Sequence, residues 1–191
     1  NVRFVDIDPN TLNIDMTALS DAITPSTKAI FAVNLLGNPN DFTALQALCN
    51  THNLLLIEDN CESMGATFKG RQAGTFGLMG SYSSFFSHHI ATMEGGMIVT
   101  DDEELYHILL CLRAHGWTRN LPANNHVSGE KSTDPFVESF KFTLPGYNVR
   151  PLEMSGALGQ AQLAKLPNLI AERRANAEKF LRLLRGYPYL K

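Results

Sequence analysis

Two apolar strand patterns separated by an amphipathic helix constrain the fold of this chain more than any other feature. Residues 29–34 and 54–57 are continuous apolar runs. Between them, Asp41 has the position of an N-cap for a helix that continues to His52. Continuous apolar strands that alternate with amphipathic helices are typical of a parallel sheet covered by helices on both faces. The sequence therefore predicts an α/β fold with a mostly parallel sheet.

Similar patterns assign the other elements. We predict strands over 2–6, 80–86 and 95–100, and helices over 15–23, 102–114, 151–165 and 167–184. The polar stretch 117–135 has two prolines and no periodicity, which indicates a long functional loop. One α/β domain is expected over residues 1–165, followed by a helix at 166–191 that leads toward a further domain.

Composition excludes several classes of function. The 191 residues are 44% hydrophobic and 18% charged, as in an ordinary globular protein. The formal net charge of −3 provides no basic surface for nucleic acid or for an acidic membrane. No apolar run approaches the roughly 18 residues that a membrane-spanning helix needs. We expect neither a nucleic-acid nor a membrane partner.

The cysteines and the chain ends carry two further expectations. Cys49, Cys61 and Cys111 are far apart and odd in number, so they do not form a disulfide framework and indicate a reducing cytoplasm. Residues 1–8 begin inside a strand pattern without an initiator methionine, and the chain stops just after a helix. The chain therefore looks truncated at both ends.

Acidic residues follow the second apolar strand, at the sheet edge where ligands of such folds bind. Asp59 ends the strand pattern, and Glu62 follows on the same face if a helix begins there. Glu62 is a candidate for hydrogen bonding a substrate hydroxyl or a cofactor, and the alternative is a solvated acid. The alternative for Asp59 is a strand-end aspartate that caps a turn.

The stretch 83–96, SSFFSHHIATMEGG, holds a second group of candidates. Ser83 has a hydroxyl suited to binding a phosphate group, although a serine-rich strand also occurs as a half-buried sheet edge. His88 and His89 are adjacent and point in different directions. An imidazole transfers protons near neutral pH. Neither histidine has carboxylates or cysteines arranged as a metal-binding set, so we predict no metal.

Two later motifs place polar side chains on loops. Residues 113–117, RAHGW, end a helix at His115 with a glycine stop, where an imidazole can reach a substrate. Residues 144–151, LPGYNVRP, place Asn148 and Arg150 on a loop. Arg150 suits an anion clamp for a diphosphate, and the alternative is a surface salt bridge.

In this order the motifs resemble the sugar aminotransferase family of the fold-type I pyridoxal-phosphate (PLP) enzymes. They are EDNCES at 58–63, SSFFSHHIATMEGG at 83–96, RAHGW at 113–117 and LPGYNVRP at 144–151. Most members have lysine at the position of His88. That lysine forms a covalent Schiff base with the coenzyme aldehyde, and an imidazole cannot form this stable linkage. The chain therefore resembles the histidine-bearing branch of the family.

This resemblance implies a fold and a role for each candidate near the cofactor. Residues 1–165 would be a partial PLP-binding large domain, without its N-terminal part and the C-terminal small domain. Asp59 would pair with the pyridine nitrogen, Ser83 would hold the cofactor phosphate, and Glu62 would lie near the coenzyme. The acid/base would be His88. Asn148 would reach the phosphate of a partner subunit, which implies a homodimer.

The resemblance also implies a reaction on a nucleotide sugar. The expected activity removes the C3 hydroxyl of a nucleotide-linked 4-keto-6-deoxysugar, GDP-4-keto-6-deoxy-D-mannose, in colitose and O-antigen biosynthesis. Glutamate would convert PLP to pyridoxamine 5′-phosphate and leave as 2-oxoglutarate, and ammonia would be released with the product. His115 and Arg150 are expected near the sugar substrate.

Three alternatives stay open. The CDP-4-keto-6-deoxyglucose 3-dehydrase branch also carries histidine but needs an iron–sulfur cluster, usually held by four cysteines, and this chain has three scattered ones. An ordinary sugar aminotransferase needs a lysine nearby, and Lys69 and Lys141 lie outside the motif. A non-catalytic binding protein with this fold would not need a pyridine partner and an acid/base together.

Overall fold

Short helices and strands alternate along the chain in the computed structural model, which describes residues 1–187 and 189. In chain order they are α1 (Met16–Ala22), β1 (Ala29–Val33), a 3-10 turn (Leu35–Gly37), α2 (Phe42–His52), β2 (Leu55–Asp59), β3 (Thr67–Phe68), β4 (Arg71–Gln72), β5 (Met79–Ser83), β6 (Gly96–Val99), α3 (Glu103–Leu112), β7 (Asn124–Asn125), β8 (Gly129–Glu130), α4 (Pro135–Ser139), α5 (Glu153–Leu163) and α6 (Leu166–Leu184). Residues 188, 190 and 191 of the predicted segment 166–191 lie outside the described residues.

Four strands form the central sheet in the order β1-β2-β5-β6. Strands β1, β2 and β5 are parallel, and β6 pairs with β5 in the antiparallel direction. Helix α2 makes the crossover between the parallel strands β1 and β2, as a βαβ unit requires. The predicted α/β fold with a mostly parallel sheet is confirmed.

The hydrophobic core lies between α1, α2 and one face of the sheet. Its buried members are Leu19, Ile30, Ala32, Phe42, Leu45, Cys49 and Leu56. Phe42 stacks on Phe76 with their ring centroids 4.2 Å apart. Burial alternates along β1, where Ile30 is buried and Phe31 is 57% exposed. One face of the sheet therefore packs against the core, and the opposite face of β1 is exposed.

The pairing register assigns the strand-end residues to these two faces. Glu58 pairs with Gly80, and Asp59 pairs with Ser81. Because successive residues of a strand point to opposite faces, Glu58 lies on the core face with Leu56. Asp59, Ser81 and Ser83 share the opposite face. Glu58 and Asp59 are adjacent in sequence, but their side chains therefore lie on opposite faces of the sheet.

Three helix starts agree with their sequence signals, whereas the helix predicted over 151–165 begins at Glu153 and has no side-chain cap. Asp15, Asp41 and Asp102 are N-caps whose carboxylates accept hydrogen bonds from first-turn amides of α1, α2 and α3. Pro167 stands in the first turn of α6, where the missing amide costs nothing. Within the described part of the chain, no helix is both long and apolar enough to cross a membrane.

The predicted strand over 2–6 is wrong. An isolated antiparallel bridge between Ile7 and Ile14 forms nearby, and among residues 1–187 and 189 no strand pairs with 2–6. Val2 and Phe4 are 83% and 93% exposed. An apolar segment becomes a strand only where a neighbour pairs its backbone groups, and such a neighbour is not encoded locally.

The predicted loop over 117–135 contains regular structure. Strands β7 and β8 form a small hairpin within it, and Asn125 Oδ1 accepts hydrogen bonds from the amides of Val127 and Ser128 across the turn. The Lys131 ammonium donates to the carbonyl of Leu121 at 2.6 Å. These polar contacts order the segment without an apolar repeat, which explains why periodicity does not reveal it.

Helix α6 packs against the loop that follows β2. The Arg174 guanidinium donates to the Gly65 carbonyl at 3.4 Å, and a methyl group added at Gly65 would overlap the Ile170 side chain. Gly65 has φ +84°, a backbone conformation that favours glycine. The division into a domain at 1–165 and a following helix stays a prediction, and α6 contacts that domain directly.

Replacing Gly65 with alanine should weaken this contact. We expect Gly65→Ala to lower the free energy of unfolding by about 2 kcal/mol, since it adds a clash with Ile170 to the cost of a left-handed alanine. Gly70→Ala is the matched control, because Gly70 has φ +81° and an added Cβ meets nothing within 4 Å. Urea denaturation measures both variants, and equal losses would show that Ile170 contributes nothing.

Candidate active site

Asp59 lies at the carboxyl end of β2, on the sheet face opposite the core. Its side chain is half-buried, and Oδ1 accepts a hydrogen bond from the Cys61 amide at 3.0 Å. The Cys61 thiol also contacts the Asp59 carboxylate. The turn-capping alternative is thus observed at Oδ1, while Oδ2 accepts no hydrogen bond from an amide or hydroxyl group among the described residues.

Glu58 has a structural role that the sequence patterns do not predict. It is completely buried, and its carboxylate accepts hydrogen bonds from the amides of Gly74 at 2.5 Å, Phe76 at 2.6 Å and Gly77 at 2.7 Å. Tyr82 Oη also donates to the Ala73 carbonyl at 2.6 Å. A buried carboxylate needs such donors, and together these bonds hold the 73–77 turn against β2.

A buried amide network joins the ends of β1 and β2. Asn34 Nδ2 donates to Asn60 Oδ1 at 2.8 Å, and Ser63 Oγ donates to the same oxygen at 2.9 Å. Asn40 Nδ2 donates to the Val33 carbonyl at 2.8 Å. Asn residues after strands are the only sequence signal for this network. It fixes the edge of the sheet on which Asp59 stands.

Glu62 is tied to the neighbouring loop. Its Oε2 accepts a hydrogen bond from the Leu36 amide at 2.8 Å, and Leu36 adopts a left-handed conformation with φ +53°. The carboxylate therefore connects the segments that follow β1 and β2. This contact excludes the fully solvated alternative for Glu62, and its role at a cofactor stays a prediction.

Ser83 and His88 lie at the end of β5 and in the loop that follows. Both side chains are half-buried. Ser83 Oγ accepts a hydrogen bond from the Phe85 amide at 3.2 Å, and the His88 amide donates to the Phe85 carbonyl at 3.0 Å. The His88 and Phe85 rings meet edge to face with centroids 6.1 Å apart. A tight turn therefore presents His88 just beyond the sheet edge.

His89 belongs to an electrostatic cluster that includes α6. Burial lowers the pKa of His89, the charges of Arg173 and His88 lower it further, and the Glu62 carboxylate raises it. Its Nδ1 is buried without a hydrogen-bond partner among the described residues. Sequence reasoning does not identify Arg173, because its approach to the histidines depends on how α6 packs.

Cys61 is not a reactive thiol. Burial, then a hydrogen bond to the Asp59 side chain and the charges of the Asp59 and Glu62 carboxylates, raise the pKa of the Cys61 thiol to about 11. The group stays protonated at neutral pH, and only a thiolate is nucleophilic. Over residues 1–187 and 189, no three His, Cys, Asp or Glu side chains form a group that could hold a metal ion.

The motifs around His115 and Asn148 form a second unit. An antiparallel bridge pairs Ala114 with Asn148, and the His115 amide donates to the Tyr147 carbonyl at 2.7 Å. His115, Asn148 and Arg150 are exposed. In the described ranges, no hydrogen bond or salt bridge joins these three residues to the group formed by Asp59, Glu62, Ser83 and His88.

Comparison with known proteins supplies the family. Residues 1–191 match the model of the DegT/DnrJ/EryC1/StrS aminotransferase family. The chain belongs to this family. It is 68% identical, over 190 residues, to the GDP-4-keto-6-deoxy-D-mannose 3-dehydratase of Yersinia pseudotuberculosis, and the match covers 100% of this chain and 48% of that relative. The chain thus spans about half the length of the curated relatives it matches.

Solved structures of similar family members confirm the aminotransferase-like fold. A mutant GDP-4-keto-6-deoxymannose-3-dehydratase with bound GDP-perosamine superposes with a TM-score of 0.94 at 66% identity, covering 98% of this chain and 49% of that one. A structure of GDP-4-keto-6-deoxymannose-3-dehydratase with a trapped PLP–glutamate geminal diamine gives a TM-score of 0.93 at 67% identity, covering 97% of this chain and 48% of that one.

Proposed function

We propose that this protein is a PLP-dependent 3-dehydratase of GDP-4-keto-6-deoxy-D-mannose, with GDP-4-keto-3,6-dideoxy-D-mannose as product. The observation that carries the proposal is His88 at the lysine position of this family, in the turn that follows β5. The 68% identity to a dehydratase of that substrate supports it. Glutamate is the amino donor, 2-oxoglutarate its product, and ammonia is released.

The residues present fit a PLP cofactor. Asp59 and Ser83 lie on adjacent parallel strands and share one sheet face, since Asp59 pairs with Ser81 and Ser83 follows two residues later. Asp59 Oδ2 accepts no hydrogen bond from an amide or hydroxyl group among the described residues, so it can accept the hydrogen bond of a protonated pyridine nitrogen. The Ser83 hydroxyl suits the cofactor phosphate. Glu62, anchored through Leu36, borders the same edge.

When bound, the cofactor supplies an electron sink for the bonds that break at the sugar. Asp59 keeps the pyridine nitrogen protonated, which strengthens that sink. His88 moves a proton at the cofactor C4′ atom as general base. Because His88 has no primary amine, it cannot bind the coenzyme covalently or complete an ordinary amino transfer. The proton that His88 takes up there would then be given to the C3 hydroxyl, which leaves as water.

The active unit in this proposal is a homodimer. Asn148 is exposed, and among the described residues it forms no hydrogen bond to Asp59, Glu62, Ser83 or His88, so its side chain is free to reach the site of a partner subunit. Asn148 would bind the partner's cofactor phosphate, and His115 and Arg150 would lie near the substrate. We place the activity in the cytoplasm, and the three free cysteines suit a reducing compartment.

Ammonia release tests this function. Purified holoenzyme given glutamate and GDP-4-keto-6-deoxy-D-mannose should form 2-oxoglutarate, ammonia and a sugar product that has lost the C3 hydroxyl, measured by coupled assay and mass spectrometry. A 4-amino sugar without ammonia would instead indicate an aminotransferase. Turnover that requires iron and a CDP-linked sugar would favour the alternative dehydrase, and PLP binding without turnover would favour a non-catalytic protein.

A further inference from the structure

The loop that carries His88 is closed at its base by buried hydrogen bonds. The Ser84 amide donates to the Gly95 carbonyl at 3.0 Å, and the Thr92 amide donates to the Ser84 carbonyl at 2.8 Å. Ser84 and Thr92 are only 8% and 6% exposed, and their hydroxyl oxygens lie 2.7 Å apart. We refer to this pair as the Ser84–Thr92 clamp.

The direction of the hydroxyl bonds in the clamp follows from their protons. Each hydroxyl carries one proton, and Thr92 Oγ1 donates to the Glu94 carbonyl at 3.1 Å. The Ser84 carbonyl, 3.5 Å from Thr92 Oγ1, is a second acceptor for that proton. With the Thr92 proton on either carbonyl, Ser84 Oγ is the donor to Thr92 Oγ1. The result is a chain of two hydrogen bonds, the first buried and the second partly buried, from the end of β5 to the residues that precede β6. Thr92 is its central member, since it both accepts and donates.

Neighbouring backbone packs directly on the clamp. Gly95 has φ +144°, and an added Cβ would lie 2.8 Å from Ser84 Oγ and 3.2 Å from Thr92 Oγ1. Helix α5 reaches the same point, because Ser155 Oγ donates to the Thr92 carbonyl at 3.3 Å. The base of the loop is thus held from β5, from the segment before β6 and from α5.

We propose that Thr92 and Ser84 are positioning residues for His88, an inference that rests on the proposed function. Inside the closed loop, Ile90 is buried at 4% exposure and the His88 amide is bonded to the Phe85 carbonyl. The imidazole therefore projects from a short segment whose two ends meet at the clamp. Opening the clamp frees that segment and displaces the ring from the atom whose proton it moves.

Thr92→Val tests the proposal, because valine keeps the branched shape and removes the hydroxyl. We expect kcat for dehydration to fall about 10- to 100-fold, the scale of a displacement of about 1 Å, with KM for the nucleotide sugar within about twofold. Thr92→Ser should restore most of kcat. Ser84→Ala, which removes only the donor, should give a smaller loss in the same direction. A Thr92→Val enzyme as fast as the parent would overturn the proposal.

Thr100→Val is the matched control. Thr100 Oγ1 lies at the other end of the β5–β6 pair, where it donates to the Leu78 carbonyl at 2.8 Å and accepts from the Asp102 amide at 3.1 Å. Like Thr92 Oγ1 it both donates and accepts, so its loss removes a similar pair of bonds far along the sheet from His88. We expect kcat of this variant within about twofold of the parent. An equal loss of kcat in Thr100→Val and Thr92→Val would show that the clamp contributes only to general stability and does not position His88.

A second readout does not depend on turnover. Amide hydrogen exchange over residues 85–91, followed by mass spectrometry without substrate, should be faster in Thr92→Val and unchanged in Thr92→Ser and Thr100→Val. If the parent enzyme fails to dehydrate the sugar, the proposed function is wrong, while the exchange data still report on the clamp. If the exchange rate over residues 85–91 is the same in Thr92→Val as in the parent, the clamp does not hold this segment, whatever the activity of the variant.

Discussion

Replacing His88 with lysine is expected to lower dehydration about 100- to 10,000-fold, the usual contribution of a positioned acid/base. A lysine at this position places a primary amine where the family normally has one, and this amine can bind the coenzyme aldehyde covalently. The variant holoenzyme should therefore gain a visible absorbance band that the parent lacks. Ammonia assays measure the rate, and absorbance with intact mass spectrometry measures the linkage.

Two further variants separate chemistry from cofactor binding. His88→Asn removes the titratable ring without adding an amine, so we expect the same loss of rate with PLP affinity close to that of the parent. His89→Asn is the neighbouring control, and its rate should stay within about tenfold of the parent because no proton transfer is assigned to it. A His88→Lys enzyme that dehydrates as fast as the parent would refute the role of His88.

Replacing Glu58 with alanine should cost more stability than any other change considered in this protein. The carboxylate is completely buried and accepts three amide hydrogen bonds, from Gly74, Phe76 and Gly77. The Gly74 bond is buried and the other two are partly buried. Each such N–H left without a partner costs about 1–3 kcal/mol, so Glu58→Ala should lower the free energy of unfolding by at least about 3 kcal/mol. Urea denaturation, read by circular dichroism, measures the loss.

Glu58→Gln and Glu62→Gln complete this experiment. Glutamine keeps one acceptor oxygen but places an NH2 group against amide donors, so Glu58→Gln should lose about half as much stability as Glu58→Ala. Glu62 accepts a single amide hydrogen bond, from Leu36, and Glu62→Gln should cost about 1 kcal/mol. If Glu58→Ala unfolds within about 1 kcal/mol of the parent, the 73–77 turn does not depend on this carboxylate.

Elements with local signals are predictable from this sequence. The caps Asp15, Asp41 and Asp102 bond amides in the first turn of their own helices, so the residues that define each start are adjacent in the chain. The apolar runs of β1 and β2 likewise predict strands. The segment 2–6 has a similar apolar pattern but no partner strand among the described residues, and a sequence pattern cannot supply one.

The sequence by itself determined which side chains stand where chemistry is expected: Asp59 after one apolar strand, Ser83 at the end of another, and His88 in place of a lysine. Only the tertiary structure decided how these side chains are oriented. The β2–β5 register directs Asp59 and Ser83 to one face and Glu58 to the other, into the 73–77 turn. Register depends on contacts between residues distant in sequence, so local patterns name the candidates without assigning their faces.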